Sequence, residues 1–247
     1  MKESSQEKIR INKYLAMSGI CSRRDADKLI EQGIVTINGK PAQAGDRVGA
    51  GDKVLVGKKQ AKNSDKKVVL AFYKPKGVVC TERDKHAEKI IMDMISYPVR
   101  VTYAGRLDKD SEGLLLLTND GDLIQHMMKG SNNHEKEYIV KVNREVNADF
   151  LEKMSQGVYL KELEITTKPC KIEQIGKFTF RIILTQGVNR QIRRMCKELG
   201  YEVKELKRIR VVNIRLDGLV PGKFRELSGE ELELLYQRCG LRGATGF

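Results

Sequence analysis

The sequence of 247 residues lacks the marks of a membrane protein, a disulfide framework or a metal cluster. No apolar run approaches the ~18 residues that a membrane-spanning helix needs. The opening Met1-Lys2-Glu3-Ser4-Ser5 is polar and carries no signal-peptide core, so a cytoplasmic location is expected. Five cysteines (Cys21, Cys80, Cys170, Cys196, Cys239) are scattered, odd in number and never spaced as Cys-x-x-Cys. That distribution speaks for reduced thiols and against a disulfide set or a zinc ribbon. His86, His126 and His134 form no metal-ligand spacing with them, and no metal is expected. A Walker loop, a Gly-x-Gly-x-x-Gly after a strand and a nucleophile elbow are all missing. No cofactor is therefore expected, and methyl transfer from a nucleoside donor loses support for want of a glycine-rich cradle. There is no fixed-period repeat and no extended heptad, so a monomer is expected.

Positive charge is what the chain has in excess. Forty-six Lys and Arg stand against 33 Asp and Glu, a net +13, with 40% hydrophobic and 32% charged residues. A soluble protein with so cationic a surface suits a polyanionic partner, of which nucleic acid is the commonest. The bias is strongest at the N-terminus, where residues 1–67 hold 15 Lys and Arg against 8 Asp and Glu.

Residues 1–58 read as a small module of two helices followed by a small sheet. Ile11, Tyr14, Leu15 and Ile20 give a short apolar stripe. Ser22 is an N-cap with Asp25 three residues on, and Ala26, Leu29 and Ile30 carry the helical period to Gly33. Strand propensity follows over Ile34–Ile37, closed by the strong turn signal Asn38-Gly39. Arg10, Lys13, Arg23, Arg24 and Lys28 form a cationic cluster on this module, suited to RNA phosphates through counterion release. Residues 59–67 have many like charges and no apolar period, and are expected to be a linker.

Residues 68–236 read as strands with interspersed helices, and 237–247 as a mobile tail. Val68–Tyr73 is a buried strand ended by Lys74-Pro75-Lys76-Gly77. Lys136–Val142 alternates at period two, Phe178–Thr185 alternates and then turns apolar, and Arg190–Leu199 is a basic helix closed by Gly200. The expected fold is α+β, with a larger catalytic domain built on a mixed, mostly antiparallel sheet with flanking helices. Most informative is Gly105-Arg106-Leu107-Asp108-Lys109-Asp110-Ser111-Glu112-Gly113, which runs directly into Leu114-Leu115-Leu116-Leu117. A charged turn leading into a buried strand fixes Asp108 at the lip of a rigid element, where a catalytic carboxylate needs little further ordering.

Four segments together resemble a family. They are Lys74–Gly77, Gly105–Gly121, Lys136-Glu137-Tyr138 and Gly187-Val188-Asn189-Arg190-Gln191-Ile192-Arg193-Arg194-Met195. In this order they resemble the RNA pseudouridine synthases that modify ribosomes (type A for the small ribosomal subunit; types B, E and F for the large one). His134–Tyr138 and Asn189–Cys196 follow the F-type pattern. The N-terminal module resembles the S4-like RNA-binding domain through Ile11–Leu15, Cys21–Ala26 and Val35–Pro41.

The resemblance implies cofactor-free isomerisation of a uridine within RNA, on a base flipped out of its stack. The expected substrate is 23S large-subunit ribosomal RNA. Small-subunit or transfer RNA, or a non-catalytic RNA-binding assembly factor, are the alternatives. It implies Asp108 as the indispensable carboxylate, Tyr138 as the aromatic lying against the base, and Arg193 as the cation paired with Asp108. Leu184 is expected in the apolar wall beside the Asp, Arg106 on the target phosphate or flanking Asp108, and Asn189, Arg190 and Arg194 in contact with RNA.

Overall fold

A computed structural model describes residues 8–62, 66–81 and 89–241. His86, residues 63–65 in the middle of the expected linker, and residues 242–247 of the expected tail lie outside the described residues. The chain divides into two compact units, one holding the N-terminal residues as far as Lys67 and the other most of the remainder.

In the N-terminal unit, helices α1 (Ile11–Met17) and α2 (Arg23–Glu31) pack over a core containing Ile11, Leu15, Ala26, Ile30, Val35 and Val54. The Ser22 hydroxyl accepts from the Asp25 amide at 3.1 Å, the cap read from the sequence. Asn38 and Gly39 both take positive φ (51° and 82°), and the two-residue turn pairs Ile37 with Lys40. The expected linker begins too early. Lys59–Gln60 is a strand paired with Leu55 and Val56, and Ala61 is 2% exposed with its amide on the Val54 carbonyl at 3.0 Å. Strand pairing uses backbone groups, so a Lys that points outward is no obstacle to it.

The larger unit is built on a sheet of nine strands: β1 (Val69–Lys74), β2 (Thr102–Ala104), β3 (Glu112–Thr118), β4 (Lys136–Val142), β5 (Lys171–Gly176), β6 (Thr179–Leu184), β7 (Val203–Val211), β8 (Ile214–Arg215) and β9 (Phe224–Glu226). The order is β5-β6-β4-β7-β3-β1-β9, with β8 on β7 and β2 on β3. Among these pairs only β3 with β7 is parallel. The sheet is therefore mixed and mostly antiparallel, as the sequence predicts.

Two apolar clusters flank it. One packs Leu114, Leu116, Val69 and Ala71 against α3 (Gly121–Met128) and α6 (Gly229–Arg238). The other packs Val140, Phe180, Ile182 and Leu206 against α4 (Ala148–Gln156) and α5 (Gln191–Glu198). Leu114 to Leu117 are all 0% exposed, which makes β3 the buried strand expected from its uninterrupted leucines. No helix among the described residues is long and apolar enough to cross a membrane.

Candidate active site

A cavity of about 550 Å³ opens in the larger unit where the two clusters meet. Its size falls within the ~300–1,000 Å³ typical of small-molecule sites. Its walls include the loop before β3, the cavity-facing side of β4, β6 and β7, the end of α3 and the turn entering α5.

The loop is held at several backbone points. The Gly77 amide donates to the Lys109 carbonyl at 2.7 Å, and the Ser111 amide donates to the Asp108 carbonyl at 3.1 Å. Lys74, wholly buried, sends its ammonium to the carbonyls of Ser111 (2.7 Å) and Pro75 (3.0 Å). Burial pulls the Lys74 ammonium below the usual lysine range, opposed by Cys80, Asp108 and Asp110 nearby. Gly113 ends the loop at φ +111°, where a β-carbon would lie 2.2 Å from the Arg208 carbonyl oxygen. Only glycine allows β3 to approach β7 so closely.

Sheet register sets the facing wall. Tyr138 lies opposite Ile182 and Arg208, and Lys136 opposite Leu184, so these side chains share one face. Tyr138, Lys136, Leu184 and Arg208 all line the cavity. The pleat puts Glu137 on the other face, and an extra residue in β7 opposite Glu137 and Tyr138 turns Arg210 to that face, where Glu137 accepts from Arg210 Nε at 2.7 Å.

Of the residues expected at the site, Asp108, Tyr138, Leu184, Arg106, Asn189 and Arg190 line this one cavity. The expected pairing of Arg193 with Asp108 is not what the structure shows. Arg193 Nη2 donates to the Asp110 carbonyl at 3.0 Å and to Ser111 Oγ at 3.3 Å. Arg193 Nη1 donates to the Val203 carbonyl at 3.3 Å. Its Nε lies 3.3 Å from Asp110 Oδ2 but off the hydrogen-bond direction. The guanidinium that approaches Asp108 is that of Arg190, at 3.7 Å.

The reason is backbone conformation. Arg190 precedes α5 at φ +52°, a left-handed geometry that takes it out of helical periodicity. Arg194 stands apart from these residues. It pairs with Glu162 and sends Nε to the Asn189 carbonyl at 3.1 Å, and it is not among the lining residues. In the N-terminal unit Arg10, Arg23, Arg24 and Lys28 are exposed, and Lys13 is half-buried.

Four further residues complete the site. Arg208, 3% exposed, sends Nε to the Leu114 carbonyl at 2.7 Å, and its Nη2 has no hydrogen-bond partner among the described residues. Burial and the neighbouring Arg208 charge lower the Lys136 ammonium below its ordinary range. Burial does the same to the His134 imidazole, helped by Lys136, which favours a neutral ring. Asp110 takes both terminal nitrogens of Arg190, at 3.0 and 2.9 Å. Burial opposes ionisation of Asp110, but the hydrogen bonds from Arg190 and the charges of Arg193 and Arg190 hold its carboxyl below the usual range. The period-two pattern places Lys136 beside Tyr138, but nothing in the loop's spacing separates Asp110 from an ordinary turn residue.

The RNA pseudouridylate synthase family model matches residues 68–198, just over half of the chain and all of the cavity wall before β7. The chain belongs to the RNA pseudouridine synthase family. An S4 domain model also matches residues 9–54 of this synthase. The dual-specificity RNA pseudouridine synthase RluF of Escherichia coli (strain K12) is 46% identical over 231 residues, covering 93% of this chain and 79% of that protein. Ribosomal large subunit pseudouridine synthase B of Bacillus subtilis (strain 168) is 34% identical, covering 92% of this chain and 95% of the relative. A crystal structure of a pseudouridylate synthase superposes with a TM-score of 0.68 at 28% identity, covering 92% of this chain and 99% of that one. The synthase thus combines an α+β catalytic fold with an RNA-binding S4 module.

Proposed function

We propose that this synthase converts a uridine of large-subunit ribosomal RNA to pseudouridine in the Asp108 cavity. The observation that carries the reading is that Asp108 and Tyr138, distant in sequence, line the same cavity with Leu184 between cationic walls. The substrate assignment draws on the ribosomal large subunit in the name of the Bacillus subtilis relative.

In this reading the target base leaves its stack, at a cost of a few kcal/mol that phosphate contacts to the basic surface offset. The bond from ribose C1′ to uracil N1 breaks, the base turns, and C1′ rejoins at C5. The proton lost from C5 is balanced by one gained at N1, so no redox partner or co-substrate is consumed. Asp108 meets the nucleotide as an ionised carboxylate, serving as nucleophile or base. Tyr138 offers its ring face to the everted base and its hydroxyl near C5. Arg106, Asn189 and Arg190, which line the same cavity, take the phosphate and ribose in this reading. Arg193 works from behind the loop, holding the Asp110–Ser111 backbone in place.

The exposed cations Arg10, Arg23, Arg24 and Lys28, with Lys13, give the S4 module its phosphate contacts. The protein acts as a cytoplasmic monomer, where reduced thiols such as the free Cys80 and Cys196 are stable. A second RNA substrate is favoured by the dual specificity in the name of the Escherichia coli relative.

Mapping pseudouridines in total RNA from cells with and without the gene tests the assignment. Loss of at least one large-subunit site is expected. Retention of every large-subunit site, with losses confined to other RNAs, would contradict it.

A further inference from the structure

The sheet of the larger unit has a second recess, on the face turned away from the Asp108 cavity. Along β4 and β6 the neighbours of cavity-lining residues open onto it: Glu137 beside Tyr138, and Ile183 beside Leu184. On β7 it takes Arg210, the residue opposite Glu137. This groove has a volume of about 690 Å³, and the second half of α6 contributes Leu234 and Arg238 to it. None of these residues takes part in the chemistry above.

Five cations line the groove against two carboxylates, Glu137 and Glu173. Two of the five are engaged. Arg210 donates Nε to Glu137 at 2.7 Å, Nη2 to Glu135 at 2.9 Å and Nη1 to the Val212 carbonyl at 2.7 Å. Arg181 pairs with Glu173 and lies 3.7 Å from Glu137. The other three are Lys171 on β5, Arg215 on β8 and Arg238 at the end of α6. All three are exposed, and none meets a carboxylate among the described residues.

From this surplus we infer that the groove is a second contact site for the phosphodiester backbone of substrate RNA, held by Lys171, Arg215 and Arg238. Three like charges converge here from separate parts of the chain, with no free acid between them. Such a cluster gathers small anions that a polyanion displaces, and the displaced ions drive binding. RNA is the polyanion that an RNA-modifying enzyme meets. A strand leaving the cavity reaches the groove around the β5 edge, two strands or about 10 Å beyond β4. Lys171 stands on that edge strand. Backbone contacts carry no base readout, so the groove adds affinity and orientation without choosing the uridine.

The test measures binding of the full chain to protein-free ribosomal RNA between about 50 and 200 mM salt. The triple variant Lys171→Gln, Arg215→Gln, Arg238→Gln removes the three unpaired charges. Each phosphate contact contributes about 0.7–0.9 to the slope of log affinity against log salt, so the slope falls by about 2–3. Affinity near 100 mM salt falls at least about tenfold with it. A charge-matched control, Lys89→Gln, Lys204→Gln, Lys223→Gln, alters exposed cations outside the groove and the cavity, and its slope falls by less than about 1. The charge-conserving variant Lys171→Arg, Arg215→Lys, Arg238→Lys keeps the wild-type slope. Single-turnover tritium release at saturating enzyme stays within about twofold of wild type in all of them, because the groove lies across the sheet from Asp108.

An unchanged slope in the groove triple would overturn the inference. Equal falls in the two Gln triples would do the same, since net charge alone would then explain the loss. So would the same fall in the charge-conserving variant, or slower release at saturation in the groove triple. The binding measurement does not depend on the Asp108 reading. If the wild type released no tritium, that reading would fail and the slopes would still decide the groove.

Discussion

Replacing Gly113 with alanine tests how closely the fold and the catalytic lip depend on one another. A β-carbon at this position would lie 2.2 Å from the Arg208 carbonyl oxygen, 2.7 Å from its nitrogen and 2.9 Å from its carbonyl carbon. All three are backbone atoms, so no rotamer change relieves the contact. Strands β3 and β7 would have to separate by about 1 Å at Gly113–Arg208, within their parallel pairing. Holding alanine at φ +111° adds ~1–3 kcal/mol of backbone strain, and each ladder hydrogen bond lost adds ~1 kcal/mol. The sum is a destabilisation of roughly 3–5 kcal/mol, a large part of the ~5–15 kcal/mol that holds a domain folded. At a glycine with an ordinary backbone, the same substitution would stabilise by ~0.4–1 kcal/mol, so the sign itself is diagnostic. Urea denaturation reads the effect as a fall in midpoint at constant slope. A change below about 1 kcal/mol in either direction would refute the claim that this close approach is built into the fold.

Three other expectations come from the same geometry. Burial pushes the Cys196 thiol up to about 12 and those of Cys170 and Cys239 up to about 11, against 9.0 in the unfolded chain. These thiols contribute stability that is complete below pH 9.0 and is lost as pH rises through the folded values. Cys196→Ala should therefore flatten the alkaline loss by about 1.4 kcal/mol per pH unit between roughly pH 9 and 11, measured by urea melts across that range. Arg194→Ala should leave tritium release within about threefold of wild type, because its side chain serves Glu162 and the Asn189 carbonyl, well short of the ~10² lost with a group acting in the transition state. Arg24→Gln in the S4 module should weaken RNA binding across sequences and lower the slope of log affinity against log salt by about 1, with an unchanged slope contradicting phosphate contact.

The strands and helices that were legible in the sequence are those whose burial writes a period into it. Leu114–Leu117 has no polar interruption because both faces of β3 are covered. Lys136–Val142 alternates because Tyr138 and Glu137 face opposite sides of the sheet. Strand β5 left no such trace. Lys171–Gly176 lies at the sheet edge and is mostly exposed, so no apolar repeat marks it. The site divides in the same way. Tyr138 and Leu184 were named by the resemblance, and strand register brings both to the cavity. The partner of Asp108 could not be placed, because the choice between Arg190 and Arg193 depends on a left-handed residue at the start of α5, where helical spacing no longer applies. Asp110 was passed over for a related reason: the direction of a side chain in a tight turn is set by φ and ψ, which spacing does not report.

The account stands most directly on tritium release from 5-³H-uridine in ribosomal RNA, measured side by side for the wild-type chain and Asp108→Asn. Release by the wild type, with none from a variant that folds and binds RNA equally well, is the result predicted. Equal release from both would show that the carboxylate at the head of β3 does not carry the isomerisation.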